Sequence, residues 1–233
     1  MLTYLGEKVV PASYHDQWLF EGLARYLDAM SIENNDPGGS RLRKILDAAR
    51  EELKSVENAG PIWLGQRLAS TATPAGYRAV YNKGLWVIHM LRMMLRQGGP
   101  NSDAKFLGML REFVDTYGGK TASTWDFKHL VEKYADRKLD SFFDEWVFAT
   151  GVPVYTADYK IEPSGSEFAI TGTIKQAGVP EGFSMLVPIY ADDEYLGSVP
   201  VGDSEGDFRF RVIKKPERIV VDPEGTILTA ASQ

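Results

Sequence analysis

The sequence predicts a protein of mixed class, in which a helical part is followed by an antiparallel β-sandwich. Apolar residues recur at helical spacing up to about residue 150. From Gly151-Val152-Pro153 onward the apolar residues alternate with a period of two. Turn residues separate these short alternating segments at roughly 8 to 12 residues, which is typical of a sandwich. We therefore expect an all-α helical domain over residues 1–151 and an immunoglobulin- or fibronectin-like sandwich over residues 152–233.

The helices are predicted from their caps and their apolar stripes. Ser13 and Asp16 form an S-x-x-D capping box, and Leu19, Leu23 and Leu27 then make the buried stripe of the first helix. Further helices are predicted over residues 40–56, 74–98, 102–117, from 123 onward and over 139–147. Strands are predicted over residues 155–161, 167–174, 185–190, 208–212 and 218–221.

Composition excludes several function classes. The chain has 233 residues, of which 25% are charged, and a net charge of −6, so nothing is basic enough to track a nucleic-acid backbone. It has no cysteine, which excludes disulfides, thiolate-bound zinc and thiol catalysis. The longest apolar run, over residues 85–95, contains His89 and Arg92 and is too short to span a bilayer. The first ten residues do not resemble a signal peptide, and the compartment stays open.

Two motifs carry a resemblance to a known family. Residues 18–24 read W-L-F-E-G-L-A, and residues 80–84 read V-Y-N-K-G. A closing pattern follows, with D-F at 126–127, F-F at 142–143, Trp146 and G-V-P at 151–153. Together these segments resemble the zinc aminopeptidases of the aminopeptidase N family, the gluzincins, which include membrane alanyl aminopeptidase. The resemblance implies that the helical part is the C-terminal half of a thermolysin-like catalytic domain.

The resemblance also implies roles for two residues. Glu21 matches the family's third zinc ligand. Tyr81 matches the tyrosine whose hydroxyl donates a hydrogen bond to the oxyanion of the tetrahedral intermediate. In an intact member these groups serve zinc-assisted removal of N-terminal residues from peptides.

The chain departs from the family at the zinc site itself. The family takes two histidines and the general base from an H-E-x-x-H helix. This sequence has three histidines, His15, His89 and His129, and no two of them are four positions apart. The family's G-x-M-E-N segment, which binds the substrate amine, is also absent. In the family's register, Leu2 stands where the second zinc histidine belongs, and leucine cannot bind zinc.

Two explanations remain open, a degenerate site and a fragment of a larger peptidase. Under either explanation, we expect that this chain alone binds no zinc and hydrolyses no peptides. Whether it is an enzyme therefore stays uncertain. A missing N-terminal catalytic half or a partner protein would then complete the zinc site. The alternative is a non-catalytic scaffold module that binds a protein or a peptide.

The same residues also have plain structural interpretations. Glu21 would be exposed and paired with Arg25 one turn later on the helix. Tyr81 would be a core or interface tyrosine, and Gly84 would mark close helix packing, since glycine within a helix costs about 1 kcal/mol relative to alanine. Core positions between helices are predicted for four tryptophans, Trp63, Trp86, Trp125 and Trp146.

Overall fold

The helical part is built around one central helix. In the computed structural model, which describes residues 9–33, 36, 40–56, 58–69, 75–98 and 102–230, the described part of the chain forms two compact units, Met1–Thr150 and Gly151–Gln233. The helices of the first unit are α1 (Gln17–Glu33), α2 (Ser40–Leu53), α3 (Arg78–Leu95), α4 (Ala104–Tyr117), α5 (Thr124–Ala135) and α6 (Asp140–Phe143). A π-helical turn, Asp144–Phe148, extends α6, and short 3-10 segments cover Tyr14–Asp16 and Ile62–Leu68.

Helix α3 is buried nearly all round, as expected for a helix at the centre of a bundle. Helices α1 and α2 pack against it, and α4, α5 and the π-helical turn also contact it. The core of this unit is rich in large rings, and its fully buried aromatic side chains include Trp18, Trp86, Trp146, Phe106, Phe113, Phe127 and Phe143.

Two interpretations of the helical part need correction. The part is not purely helical, because β1 (Val9–Pro11) and β2 (Lys120–Ala122) pair in parallel. Trp125 is not a core anchor, since it is 50% exposed and stacks on Phe148 at the surface. Trp86 and Trp146 are fully buried as predicted, whereas Trp63 is half-buried.

The second unit contains two three-stranded antiparallel sheets. One has the order β3-β4-β7, from Val154–Ser164, Glu167–Ala177 and Glu205–Val212. The other has the order β6-β5-β8, from Glu194–Val201, Met185–Ala191 and Ile219–Val221. Buried aliphatic side chains on β4 and β5, among them Ile170, Ile174, Val187 and Ile189, supply the core. A helical part followed by antiparallel sheets is the predicted fold class.

Strand β6 was not predicted from the sequence. It contains Gly197 and Pro200, two residues that ordinarily argue against a strand interior. The glycine has a local reason, because Gly197 has a positive φ of 145° and a Cβ there would lie 3.2 Å from the ring of Phe210 on β7.

Candidate functional site

Two glycines let α1 and α3 cross with their backbones in contact. A Cβ on Gly22 would lie 2.7 Å from the carbonyl carbon of Gly84, and a Cβ on Gly84 would lie 2.9 Å from the carbonyl oxygen of Trp18. Neither position accepts a larger residue without a shift of backbone. The two sequence motifs therefore meet through their glycines, and the predicted close packing at Gly84 is confirmed.

The crossing brings Glu21 of α1 near Tyr77, the N-cap residue of α3. Tyr77 lies one turn before Tyr81 of α3, with ring centroids 4.8 Å apart and nearly perpendicular planes. Burial, the negative charge of Glu21 and a hydrogen bond with Tyr81 together raise the pKa of Tyr77 to about 12. Glu21, Tyr77 and Tyr81 are all half-buried and form one polar cluster, which we call the Glu21 cluster.

The Glu21 carboxylate has no hydrogen bond or ion pair with any residue that the structure describes. Burial raises its pKa above the ordinary value. The expected pair with Arg25 is not formed, because Arg25 instead donates a hydrogen bond to Oδ1 of Asn82. Asn82 is itself fully buried and donates to Oε2 of Glu52 at 2.9 Å.

The lysine of the second motif is directed into the protein interior. Lys83 is 3% exposed, and its Nζ donates to the carbonyl oxygen of Ala149 at 3.1 Å and lies 5.8 Å from the ring centroid of Trp146. Burial lowers the pKa of Lys83 to about 7. Lys83 therefore anchors the end of the π-helical turn and is not part of the Glu21 cluster.

Three other residues that could bind a metal make structural hydrogen bonds instead. The Asp16 carboxylate closes the predicted capping box with Ser13 and also accepts from the backbone N–H and the hydroxyl of Thr124 at 2.7 and 2.9 Å. His15 Nδ1 donates to the carbonyl oxygen of Trp63 at 2.9 Å, and the two rings stack at 3.5 Å. His89 Nδ1 hydrogen-bonds with the Tyr26 hydroxyl at 2.8 Å.

The described residues do not fit a complete zinc site. A catalytic zinc needs about three protein ligands and an open position. Within the ranges that the structure describes, no three His, Cys, Asp or Glu side chains are grouped to hold a metal. Glu21 could supply one ligand. Leu2, on which the sequence argument about the missing histidine depends, lies outside the described residues, as do the neighbouring positions 3–6.

Sequence reasoning missed two members of the site. Tyr77 lies four positions before Tyr81, so its place on the same helix face was available from the pattern. Asn82 carried no signal, because its contacts come from α1 and α2, which are distant in sequence.

Comparison with known proteins identifies the family. The family model described as the Peptidase family M1 domain matches residues 3–146, which is more than half of the chain. The chain belongs to peptidase family M1. It is thus a member of a family of metallopeptidases, and the resemblance to aminopeptidases is confirmed.

Individual relatives of this M1 chain are distant. It is 23% identical over 194 residues to glutamyl aminopeptidase of Rattus norvegicus, a match that covers 80% of this chain and 20% of the relative. It is 24% identical over 175 residues to aminopeptidase M1-C of Oryza sativa subsp. japonica, covering 73% and 19%. The chain thus spans about a fifth of the length of these curated relatives.

A solved structure shows the same fold. Aminopeptidase A of Legionella pneumophila, crystallised in complex with aspartic acid, matches with a TM-score of 0.66 at 15% identity. The match covers 97% of this chain and 25% of that chain, so it includes the helical unit and the sheets. Among the described residues, no helix is long and apolar enough to cross a membrane.

Proposed function

We propose that this chain forms one wall of an M1 aminopeptidase site and does not hydrolyse peptides by itself. The observation that supports the proposal is the crossing at Gly22 and Gly84, beside which Tyr77 interacts with the charge of Glu21 and hydrogen-bonds with Tyr81. In the proposed site Glu21 is the third zinc ligand and Tyr81 is the oxyanion donor. A carboxylate without a hydrogen bond or ion pair among the described residues, and a phenol in the same cluster, suit these two roles in charge and hydrogen bonding.

The zinc histidines and the general base are proposed to come from outside this sequence. None of its three histidines belongs to an H-E-x-x-H motif. A missing N-terminal catalytic half or a partner protein would supply them, and the activity of that assembly would be removal of N-terminal residues from peptides. One carboxylate leaves the metal without the nitrogen ligands that zinc prefers, so this chain alone should bind zinc weakly.

Equilibrium dialysis against zinc tests this proposal. We expect much less than one zinc ion per chain at micromolar free zinc, and no difference between the unmodified chain and Glu21→Ala. Stoichiometric zinc that is lost in Glu21→Ala would show that the chain completes a metal site and would overturn the proposal.

The alternative is a non-catalytic scaffold that binds a protein or peptide, and exposed aromatic rings favour it. Trp125 is 50% exposed and stacks on Phe148, with ring centroids 5.2 Å apart. Interface hot spots are enriched in tryptophan. A metal-independent complex that Trp125→Ala weakens at least about tenfold would support this function. A complex that tolerates Trp125→Ala would count against this surface.

A further inference from the structure

Helix α1 contains a charge pair that should form but does not. Glu21 precedes Arg25 by four residues, which is the favourable order for an ion pair on a helix. In the structure the Arg25 guanidinium is turned to α3, where Nη1 donates to Oδ1 of Asn82. The Glu21 carboxylate is left without an ion pair among the described residues, although it is half-buried and would gain from one.

Glu52 fixes which end of the Asn82 amide faces Arg25. An ionised carboxylate can only accept hydrogen bonds, so the amide must present its NH₂ group to Glu52. Nδ2 of Asn82 donates to Oε2 of Glu52 at 2.9 Å. The oxygen of the same amide then points to Arg25 as an acceptor. A buried amide keeps both partners, because an unsatisfied polar group in the interior is costly.

The hydrogen bonds among Arg25, Asn82 and Glu52 link three helices. Arg25 lies on α1, Glu52 on α2 and Asn82 on α3. The cation nearest to Glu21 along its own helix is engaged elsewhere, and the carboxylate interacts electrostatically with Tyr77 instead.

We propose that Asn82, oriented by Glu52, is a positioning residue that holds Arg25 away from Glu21 and so keeps the Glu21 carboxylate free for a cation from outside the described residues. The functional meaning of this inference rests on the proposed site, in which that cation is the metal. The structural claim can be tested without metal or peptide, so its failure and the failure of the proposed function are separate results.

A double-mutant cycle measures the interaction between Glu21 and Arg25. Glu21→Gln, Arg25→Gln and the double variant are unfolded in urea at low salt, and tryptophan fluorescence reports the unfolding constant. In the unmodified background we expect a coupling factor of about 1, as for residues that do not interact. In an Asn82→Ala background Arg25 is released, and the factor should rise to about twofold, the size of a helical i,i+4 ion pair.

Variants at α2 keep the test decisive if Asn82→Ala does not fold. Glu52→Ala changes an exposed position and removes the group that orients the amide, so it should raise the factor in the same direction. Its matched control is Glu51→Ala, which removes an exposed acid that pairs with Lys54 at 2.8 Å and should leave the factor near 1. A twofold factor in the unmodified chain, or no rise in the Asn82 and Glu52 variants, overturns the proposal.

Discussion

The amine of Lys83 lies inside the helical unit with a backbone carbonyl as its hydrogen-bond acceptor. Its burial lowers the pKa from the ordinary value of 10.5 to about 7. Below about pH 7 the amine is protonated in the folded and unfolded states alike, and burial of the charge weakens the fold. Between about pH 7 and 10.5 the unfolded chain holds a proton that the folded chain has lost, so stability rises with pH.

Lys83→Met should flatten this dependence. Across the window the lysine contributes a slope of up to about 1.4 kcal/mol per pH unit, which the methionine variant lacks. The measurement is urea unfolding at several pH values by tryptophan fluorescence, which reports the helical unit because all five tryptophans lie there. The matched control is Lys44→Met at an exposed position of α2, which should keep the slope. Equal slopes in the unmodified chain and in Lys83→Met would contradict the assignment.

The crossing of α1 and α3 is the element-level feature on which the candidate site depends. Two effects oppose each other at Gly84. Alanine has the better helix propensity by about 1 kcal/mol. Its Cβ would however lie 2.9 Å from the carbonyl oxygen of Trp18 and 3.3 Å from the Cα of Gly22, so the helices must separate.

We expect the packing effect to dominate in Gly84→Ala. Overpacking in a tight core costs about 1–3 kcal/mol, which exceeds the gain in propensity. Gly98→Ala is the matched control, because an added Cβ there meets nothing within 4 Å. Urea unfolding should show a clear loss of stability in Gly84→Ala and little change in Gly98→Ala. A stabilised Gly84→Ala would mean that the helices do not touch there.

Two capping boxes offer a second comparison between elements. In both, an aspartate accepts from the backbone N–H and the hydroxyl of a serine three residues earlier, Ser13 with Asp16 and Ser123 with Asp126. Asp16 additionally holds the start of α5 through Thr124 and is 4% exposed. Asp126 keeps one further contact, from the Tyr117 hydroxyl at 3.2 Å.

Asp16→Ala should therefore be more harmful than Asp126→Ala. Loss of a local cap costs about 1 kcal/mol, whereas Asp16→Ala also leaves a buried N–H of Thr124 unsatisfied, which adds about 1–3 kcal/mol. Chemical denaturation of both variants checks the difference. Equal losses would show that the bond to Thr124 contributes nothing.

Local signals were sufficient for most of the helices. The capping box at Ser13 and Asp16 was visible in the sequence, and α1 and α5 begin close to their predicted positions. Local sequence signals did not predict contacts between residues that are far apart in the sequence. Strands β1 and β2 have three residues each, too few for a period, and their residues are more than a hundred positions apart. Asn82 became part of the site only through contacts with α1 and α2.

At the scale of the whole molecule, the chain divides into two compact units between Thr150 and Gly151. The change from helical to alternating periodicity predicted the structural class of both units. The family resemblance pointed to Glu21 and Tyr81 as candidate site residues. Their roles remain predictions. The exposure of Trp125 could not be predicted, because an aromatic residue in a helix carries no sign of what covers it.

The assignment of two domains also remains a prediction, and separate expression tests it. We expect residues 151–233 alone to unfold cooperatively, because the sheets have their own buried core and the chain closes on itself where Ala230 N–H donates to the carbonyl oxygen of Pro153 at 2.9 Å. The measurement is circular dichroism during thermal unfolding. A fragment without a cooperative transition would show that the sheets depend on the helical unit.

The central claim is that this M1 chain presents Glu21 and Tyr81 but lacks a complete site. Hydrolysis of alanine p-nitroanilide by the purified chain with added zinc tests it most directly, with Glu21→Ala as the paired variant. We predict no turnover above the background without protein, and the same rate in the variant. Turnover that Glu21→Ala abolishes would contradict the claim and would show that the chain alone completes a peptidase site.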